Sequence, residues 1–191
     1  LQPFRPPLIT DAHRDAAPGE RRVRIGDAVA IQGMNLRGGT RTAVQFGGAA
    51  PITVTPDAEG RIVTPAIPDD AALQPGTLAL RVIVEREPEG VGGGAPPDPG
   101  QPVADLPVPP VPRHLSDTTT LQLIPRVTAA TILAAGGGFA QRLRVTGQRL
   151  FTPGAATLIF VGDRVAAVGD PPNGTPAPTP TAVQVRLSDL A

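Results

Sequence analysis

The chain has 191 residues, with 22 Gly, 25 Pro and 40% hydrophobic residues, and its 17 basic residues, all Arg, balance 17 acidic ones. The absence of Cys and Lys excludes disulfides, thiol nucleophiles, Cys-ligated metals and Schiff-base lysines. A net charge of zero provides no overall field that would attract nucleic acid or an anionic membrane.

The apolar residues fall in short runs of Val, Leu, Ile and Ala between turn residues, which predicts an all-β fold. No run reaches the roughly 18 apolar residues of a membrane-spanning helix. The opening Leu1–Arg5 is neither a start methionine nor a secretion signal, so we expect an excerpt of a longer protein.

Residues 1–86 are predicted to form a sandwich of two antiparallel sheets, with a closed barrel as the structural alternative. The predicted strands begin at Leu8 and then cover 28–32, 42–46, 52–55, 61–64 and 77–84. Each run is bounded by Gly, Pro or Asp turn residues. In the last strand every second residue is apolar, as expected when one face lies on a core and the other in water.

A Pro- and Gly-rich segment follows and is predicted to be a linker over residues 87–119. Gly92–Gly94 precede eight prolines between Pro96 and Pro112, which favours a flexible first half and a polyproline II second half. Such a segment also suits the aromatic groove of a partner, but a spacer role explains the same residues.

The two sides of this segment repeat each other at an offset of 114 residues. The aligned stretches are Val29–Leu36 with Leu143–Leu150 and Val44–Gly48 with Leu158–Gly162. The same offset places Ile9 opposite Leu123 and Phe46 opposite Phe160, and both Phe residues are predicted core anchors. Since the matches fall on alternating apolar positions and on glycines, we predict a second copy of the sandwich over residues 120–191.

The second copy is predicted to be incomplete at its C-terminus. Thr181–Leu187 aligns with Arg61–Ile67, and the turn and last strand that follow in the first copy have no counterpart. A sandwich without that strand exposes backbone groups on an edge. Either a continuing chain supplies the strand, or the second copy has only marginal stability by itself. The exposed edge is also open to pairing with another chain.

Three patterns have residue types of catalytic or nucleotide-binding sites, but each lacks a feature that such a site requires. His13-Arg14-Asp15 lacks the Asn and Lys of a kinase site and is interpreted as a solvated loop. Gly90–Ala95 has a dinucleotide-binding spacing, but Pro96-Pro97 prevents the helix that would hold pyrophosphate. His114, Ser116 and Asp117 lie too close together in sequence for a hydrolytic triad.

Charged clusters give no converging site either. Asp57, Glu59, Asp69 and Asp70 could supply calcium ligands, but they lack EF-hand spacing. The basic clusters are Arg21, Arg22 and Arg24, and Arg142, Arg144 and Arg149. Only five Phe are present for base stacking, so these clusters are interpreted as solvated faces rather than a nucleic-acid surface.

Carbohydrate binding and glycosylation are weakly supported. A sugar platform normally uses exposed Trp or Tyr, and the chain has neither. Asn173–Thr175 spells a glycosylation acceptor but is interpreted as a turn between prolines. We therefore predict no catalytic, cofactor-binding or metal residues.

The first copy resembles the IPT/TIG domain, an immunoglobulin-like fold. The motif-bearing stretches are Gly26–Leu36, Thr42–Gly48, Ile62–Pro68 and Pro75–Val82. The second copy departs from the pattern at Ala140-Gln141, Arg149 and Val161. The resemblance implies tandem immunoglobulin-like sandwiches, one of them incomplete.

Leu1–Ile9 is similar to the junction after the N-terminal domain in tail-terminator (cap) proteins of phage-tail-like contractile injection systems. The resemblance implies a non-catalytic structural or docking region of a larger bacterial cap protein, with protein partners, in the cytoplasm or on the injection particle. The alternative is an extracellular adhesion or carbohydrate-associated module of a cell-surface protein. An enzyme is the third hypothesis.

Overall fold

The computed structural model describes residues 5–86, 111–136, 140–168 and 177–190. These residues form fourteen strands and one short 3-10 turn, so the predicted all-β class is confirmed. Nine strands precede Pro125: β1 (Leu8–Arg14), β2 (Arg22–Val23), β3 (Val29–Met34), β4 (Arg41–Phe46), β5 (Ile52–Val54), β6 (Ile62–Val63), β7 (Gly76–Glu85), β8 (Arg113–Leu115) and β9 (Thr119–Leu123). Five follow it: β10 (Arg126–Leu133), β11 (Arg142–Gln148), β12 (Thr157–Val161), β13 (Arg164–Val168) and β14 (Ala182–Arg186), with the 3-10 turn at Leu187–Asp189. Within the described part of the chain, no helix has the length and hydropathy of a membrane span.

The first module comprises β1 to β9 and packs two sheets face to face. One sheet has the strand order β1-β3-β6, and the other has the order β2-β9-β7-β4-β5, with β8 also paired to β7. Alternate residues of both sheets point into one buried cluster, in which Ile31 comes from the first sheet and Phe46 and Leu80 from the second. This arrangement follows from the period-two apolar pattern, which gives each strand one buried face.

The first module includes strands that the sequence prediction placed elsewhere. β8 lies in the predicted linker and β9 in the predicted second sandwich, yet both pair antiparallel with β7. Leu121 and Leu123 of β9 are buried in the first core. Because an alternating strand suits either sheet, the sequence pattern alone did not indicate which module β9 completes.

The second module comprises β10 to β14 around a separate core. β11 lies between β10 and β14, and β12 and β13 form a hairpin. Its buried cluster joins Leu143, Val145 and Val183 of the three-stranded sheet to Ala166 and Val168 of the hairpin. The two modules therefore have distinct cores.

Local geometry repeats between the modules at the offset of 114 residues. An added Cβ would lie 2.1 Å from the Leu8 carbonyl oxygen at Gly33 and 1.9 Å from that of Arg126 at Gly147. Asn35 and Arg149 lie two residues further on, and within the described ranges they are the non-glycine residues with positive φ, at 60° and 55°. Each glycine thus permits close approach of the neighbouring strand.

Strand pairing corrects two details of the repeat alignment. Gly33 pairs with Ile9 and Gly147 pairs with Val127, so Val127, not Leu123, is the counterpart of Ile9. Ile31 pairs with Ile62 and Val145 with Val183, so β14 is one residue out of the predicted register with β6. The segments before and after these glycines differ in length between the modules, so one fixed offset does not align every strand.

The predicted equivalence of the two Phe residues is wrong. Phe46 is 0% exposed and belongs to the first core, whereas Phe160 is 69% exposed. In β12 it is Ile159 that packs on the second core, opposite Ala166. Neighbouring residues of a strand point to opposite faces, so facing Ile159 inward turns Phe160 outward.

Candidate functional site

The residues of the rejected triad have structural roles. The Ser116 hydroxyl accepts the Val82 amide at 2.9 Å and lies 2.6 Å from the Asp117 carbonyl oxygen, to which it donates. The Asp117 carboxylate accepts the Ile9 amide at 2.8 Å, which ties the segment after β8 to β1 of the other sheet. Both side chains therefore serve backbone groups of the sandwich.

His13 and Arg14 lie in β1, not in the predicted solvated loop. His13 is buried, and its Nδ1 lies 2.8 Å from Oδ2 of Asp11, two residues earlier on the same face of the strand. The hydrogen bond with His13 is the main cause that lowers the pKa of Asp11 below its ordinary value. Asp15 follows the strand and pairs with Arg61 at 2.8 Å.

Three of the four acidic residues considered as calcium ligands make separate contacts. Asp57 accepts the amides of Glu59 and Arg61 in its own turn, at 3.1 and 2.7 Å. Asp70 accepts the Ala72 amide at 2.8 Å, and Asp69 contacts Arg149. In the described ranges, no group of three acidic or His side chains is arranged to hold a metal ion.

The first basic cluster is partly neutralised by neighbouring carboxylates. Arg22 donates from Nε and Nη2 to the two carboxylate oxygens of Glu20, at 2.9 and 3.0 Å. Arg21 lies 3.5 Å from Asp11. The Arg22 side chain, followed by its backbone amide, lowers the pKa of Glu20 from 4.5 to about 2.

Replacing Arg22 with Ala is expected to return the pKa of Glu20 towards its ordinary value of 4.5. The pKa is lower in the folded than in the unfolded state, so the stabilisation is present above about pH 4.5 and is lost as the pH falls through about 2. NMR titration of the Glu20 carboxyl carbon measures this pKa, with Arg144→Ala as the control. A midpoint that stays near 2 in Arg22→Ala would contradict the assigned pairing.

A polar contact joins the two modules, and sequence reasoning missed it. The Arg149 guanidinium lies 2.7 Å from Oδ1 of Asp69 and also donates to the Asp70 carbonyl oxygen. The Arg149 side chain is mostly buried, whereas Asp69 is exposed. Beside this contact, Thr152 donates to Gln74 at 3.3 Å. No sequence pattern signals a pair 80 residues apart in surface turns.

Arg149→Asn is expected to loosen the junction between the modules while leaving each module folded. Asn tolerates the positive φ of this position and occupies the equivalent position 35, but it is too short to maintain the ion pair. Each module should change in stability by less than about 1 kcal/mol, because the partner carboxylate is solvated.

Because the chain has no native Cys, spin labels can be attached at Glu59→Cys in the first module and Arg164→Cys in the second. Double electron–electron resonance then measures the distribution of distances between the two labels. A broader distance distribution is expected in Arg149→Asn and not in Arg144→Asn. An unchanged distribution would show that Arg149 does not set the junction.

A polar cleft of about 460 Å³ lies beside this junction. It is lined by Arg24 and Asp27 of the first module and by Arg126 of the second. Asp27 already accepts the Arg24 amide at 2.9 Å, and Arg126 approaches Gly26 closely. The mixed charges of the cleft favour contact between the modules over capture of an ion.

The most distinctive open site is apolar and lies along the free edge of β12. This groove has a volume of about 280 Å³, and its lining includes Leu143, Val145 and Val183 of the core and the exposed Leu158 and Phe160. We call it the β12 groove. Among the described residues that line it, Thr157 alone has a polar side chain, so its chemistry suits burial of apolar side chains.

Several predictions fall outside the described residues: the Gly90–Ala95 motif, most of the Pro- and Gly-rich segment and the Asn173–Thr175 acceptor. Leu1–Phe4, in the stretch similar to the cap-protein junction, also lie outside them. No protein-family model matches the chain, and no curated protein or solved structure matches it significantly.

Proposed function

We propose that this chain is a non-catalytic structural and docking unit of a larger protein, built from two immunoglobulin-like modules. The observation that carries the proposal is the contrast between its polar and apolar sites. Ser116, Asp117, Asp57 and Asp70 bind backbone groups, whereas the open β12 groove exposes apolar side chains. Apolar surface of this kind is typical of protein contacts.

The junction between the modules supports the same proposal. Arg149 spans from the second module to Asp69 and Asp70 of the first, so the two modules are in direct polar contact. A scaffold needs defined geometry between its units, and this ion pair supplies a specific contact for it.

Cross-linking mass spectrometry on the protein in its native extract tests the docking role. The cross-linker must react with Asp and Glu carboxylates, because the chain has no Lys. Reproducible links from both modules to one defined protein partner are the expected result. Turnover of ester, peptide, phosphoester or glycoside substrates by the purified chain, lost in Ser116→Ala or His114→Ala, would overturn the proposal.

The finer proposal is the accessory region of a cap protein in a contractile injection system, and it rests on the resemblance of Leu1–Ile9. Its expected partners are proteins of the tail end. Specific binding of the chain to a glycan array would instead favour the adhesion or carbohydrate-associated alternative.

A further inference from the structure

The chain passes from the first module to the second through a very short connection. The Ile124 amide donates to the Val23 carbonyl oxygen at 2.8 Å, which ties Ile124 to the first module. Arg126 begins β10 and pairs with Gln148 of β11 in the second module. Pro125 is therefore the one residue between the last residue bonded to the first module and the first residue paired in the second.

Pro125 restricts the rotations of this connection. Its ring fixes its own φ at about −65°. Steric contact with the ring also confines the preceding residue, Ile124, to extended backbone. Few backbone rotations are then left through which the second module could turn relative to the first.

Arg149 forms a second attachment beside the first. Arg126 and Gln148 are paired across β10 and β11, so the residue after Gln148 lies next to the connection. The Arg149 guanidinium lies 2.7 Å from Oδ1 of Asp69 and donates to the Asp70 carbonyl oxygen, and Nε2 of Gln148 lies 3.4 Å from Oδ2 of Asp69. One attachment leaves rotation about itself, and a second attachment opposes that rotation.

Both sides of the Arg149 attachment are held by their own modules. The Leu150 amide, next to Arg149 in the chain, donates to the Pro180 carbonyl oxygen at 2.8 Å. The Asp70 carbonyl oxygen, which receives the Arg149 side chain, also accepts the Leu73 amide at 2.9 Å. Arg149 therefore joins two turns that backbone hydrogen bonds hold in place.

The remaining features of the junction give little reason for a fixed angle. The two modules have separate apolar cores, and a polar cleft of about 460 Å³ lies between the β1–β9 and β10–β14 parts of the chain. Polar interfaces between domains ordinarily allow the domains to move relative to each other. A fixed angle in this chain therefore depends on specific attachments.

We infer that Pro125 and Arg149 together lock the two modules at one angle, so that the chain behaves as a rigid bracket. Pro125 limits the rotations within the connection, and Arg149 limits rotation of the second module about it. This inference goes beyond the proposed docking function, because it concerns the geometry within the chain and holds with or without a partner.

Residual dipolar couplings of the backbone amides test the lock in the whole chain. Two rigidly joined modules share one alignment tensor, so the couplings of β1 to β9 and of β10 to β14 are expected to fit a single tensor. Pro125→Gly frees φ at position 125, and Arg149→Asn keeps the positive φ of position 149 but loses the contact with Asp69. Each substitution is expected to separate the two tensors, and the double variant to separate them further.

Pro18→Gly and Arg144→Asn are the matched controls, and both should keep the common tensor. Pro18 is an exposed proline in the turn after β1, and Arg144 is an exposed arginine of β11 outside the junction. Unchanged amide chemical shifts in strands away from the junction confirm that each module remains folded in all variants.

Three outcomes would overturn the inference. Separate tensors for the two modules in the unsubstituted chain would show that their angle is not fixed. A common tensor retained in the double variant would show that other contacts fix the angle, and one retained in Pro125→Gly alone would show that Pro125 has no part in the lock. These measurements involve neither turnover nor a partner, so the proposed function is judged separately.

Discussion

Phe46→Ala is expected to lower the free energy of unfolding of the first module by roughly 3–5 kcal/mol, the usual loss when a buried aromatic side chain leaves a cavity. Phe46 is fully buried between the two sheets, among Leu80 and other residues of the first core. Phe160→Ala, at the aligned position of the second module, should change stability by about 0.5 kcal/mol or less, because its side chain is largely in water.

Far-UV circular dichroism during urea unfolding measures both effects, since the chain has no Trp or Tyr for fluorescence. Hydrogen exchange of β4 and β12 assigns each loss to its module. Equal destabilisation by the two substitutions would contradict the assigned faces of β12 and restore the register in which Phe160 is a core anchor.

Gly33→Ala and Gly147→Ala are expected to destabilise the first and second modules respectively, each by about 3 kcal/mol or more, at the upper end of overpacking costs. The new Cβ would meet a backbone carbonyl oxygen at 2.1 Å at position 33 and at 1.9 Å at position 147. A carbonyl in a paired strand cannot rotate away like the end of a side chain. The edge strands β1 and β10 must therefore separate from β3 and β11.

Gly48→Ala and Gly136→Ala are the matched controls, one in each module. A Cβ at Gly48 meets only Ala72 at an ordinary 3.5 Å, and a Cβ at Gly136 has nothing within 4 Å. Calorimetry should show a lowered transition for the two close-approach glycines and little change for the controls. Similar melting of all four variants would show that the strand spacing at Gly33 and Gly147 is not as described.

The all-β class and the repeated local geometry at Gly33 and Gly147 were predictable because they depend on residues with local constraints. Gly33 and Gly147 mark the same close approach, and the alternating apolar residues of β7 mark a half-buried strand. These features are visible at short range in the sequence. They predicted the positions of β3, β4 and β7 within a few residues.

Strand pairing and contacts between residues far apart in the sequence were not predictable from the same signals. Leu121 and Leu123 alternate as a strand of either module would, and only their pairing with β7 assigns them to the first. The inward face of β12 depends on a one-residue difference between Ile159 and Phe160. The Arg149 contact with Asp69 joins two surface turns far apart in sequence.

The return of the chain from β7 to β8 changes how residues 87–110 act in folding. The Arg86 amide donates to the Pro112 carbonyl oxygen at 3.2 Å, and Arg113 pairs with Glu85 at 3.0 Å, so both ends of the segment meet in one sheet. The length of this segment therefore affects the stability of the first module through the entropy of loop closure, and each doubling of the length costs only about 0.6 kcal/mol. The segment does not set the distance between the two modules. Because Leu121 and Leu123 belong to the first core, we expect that this core can close during synthesis only after residues 119–123 have left the ribosome.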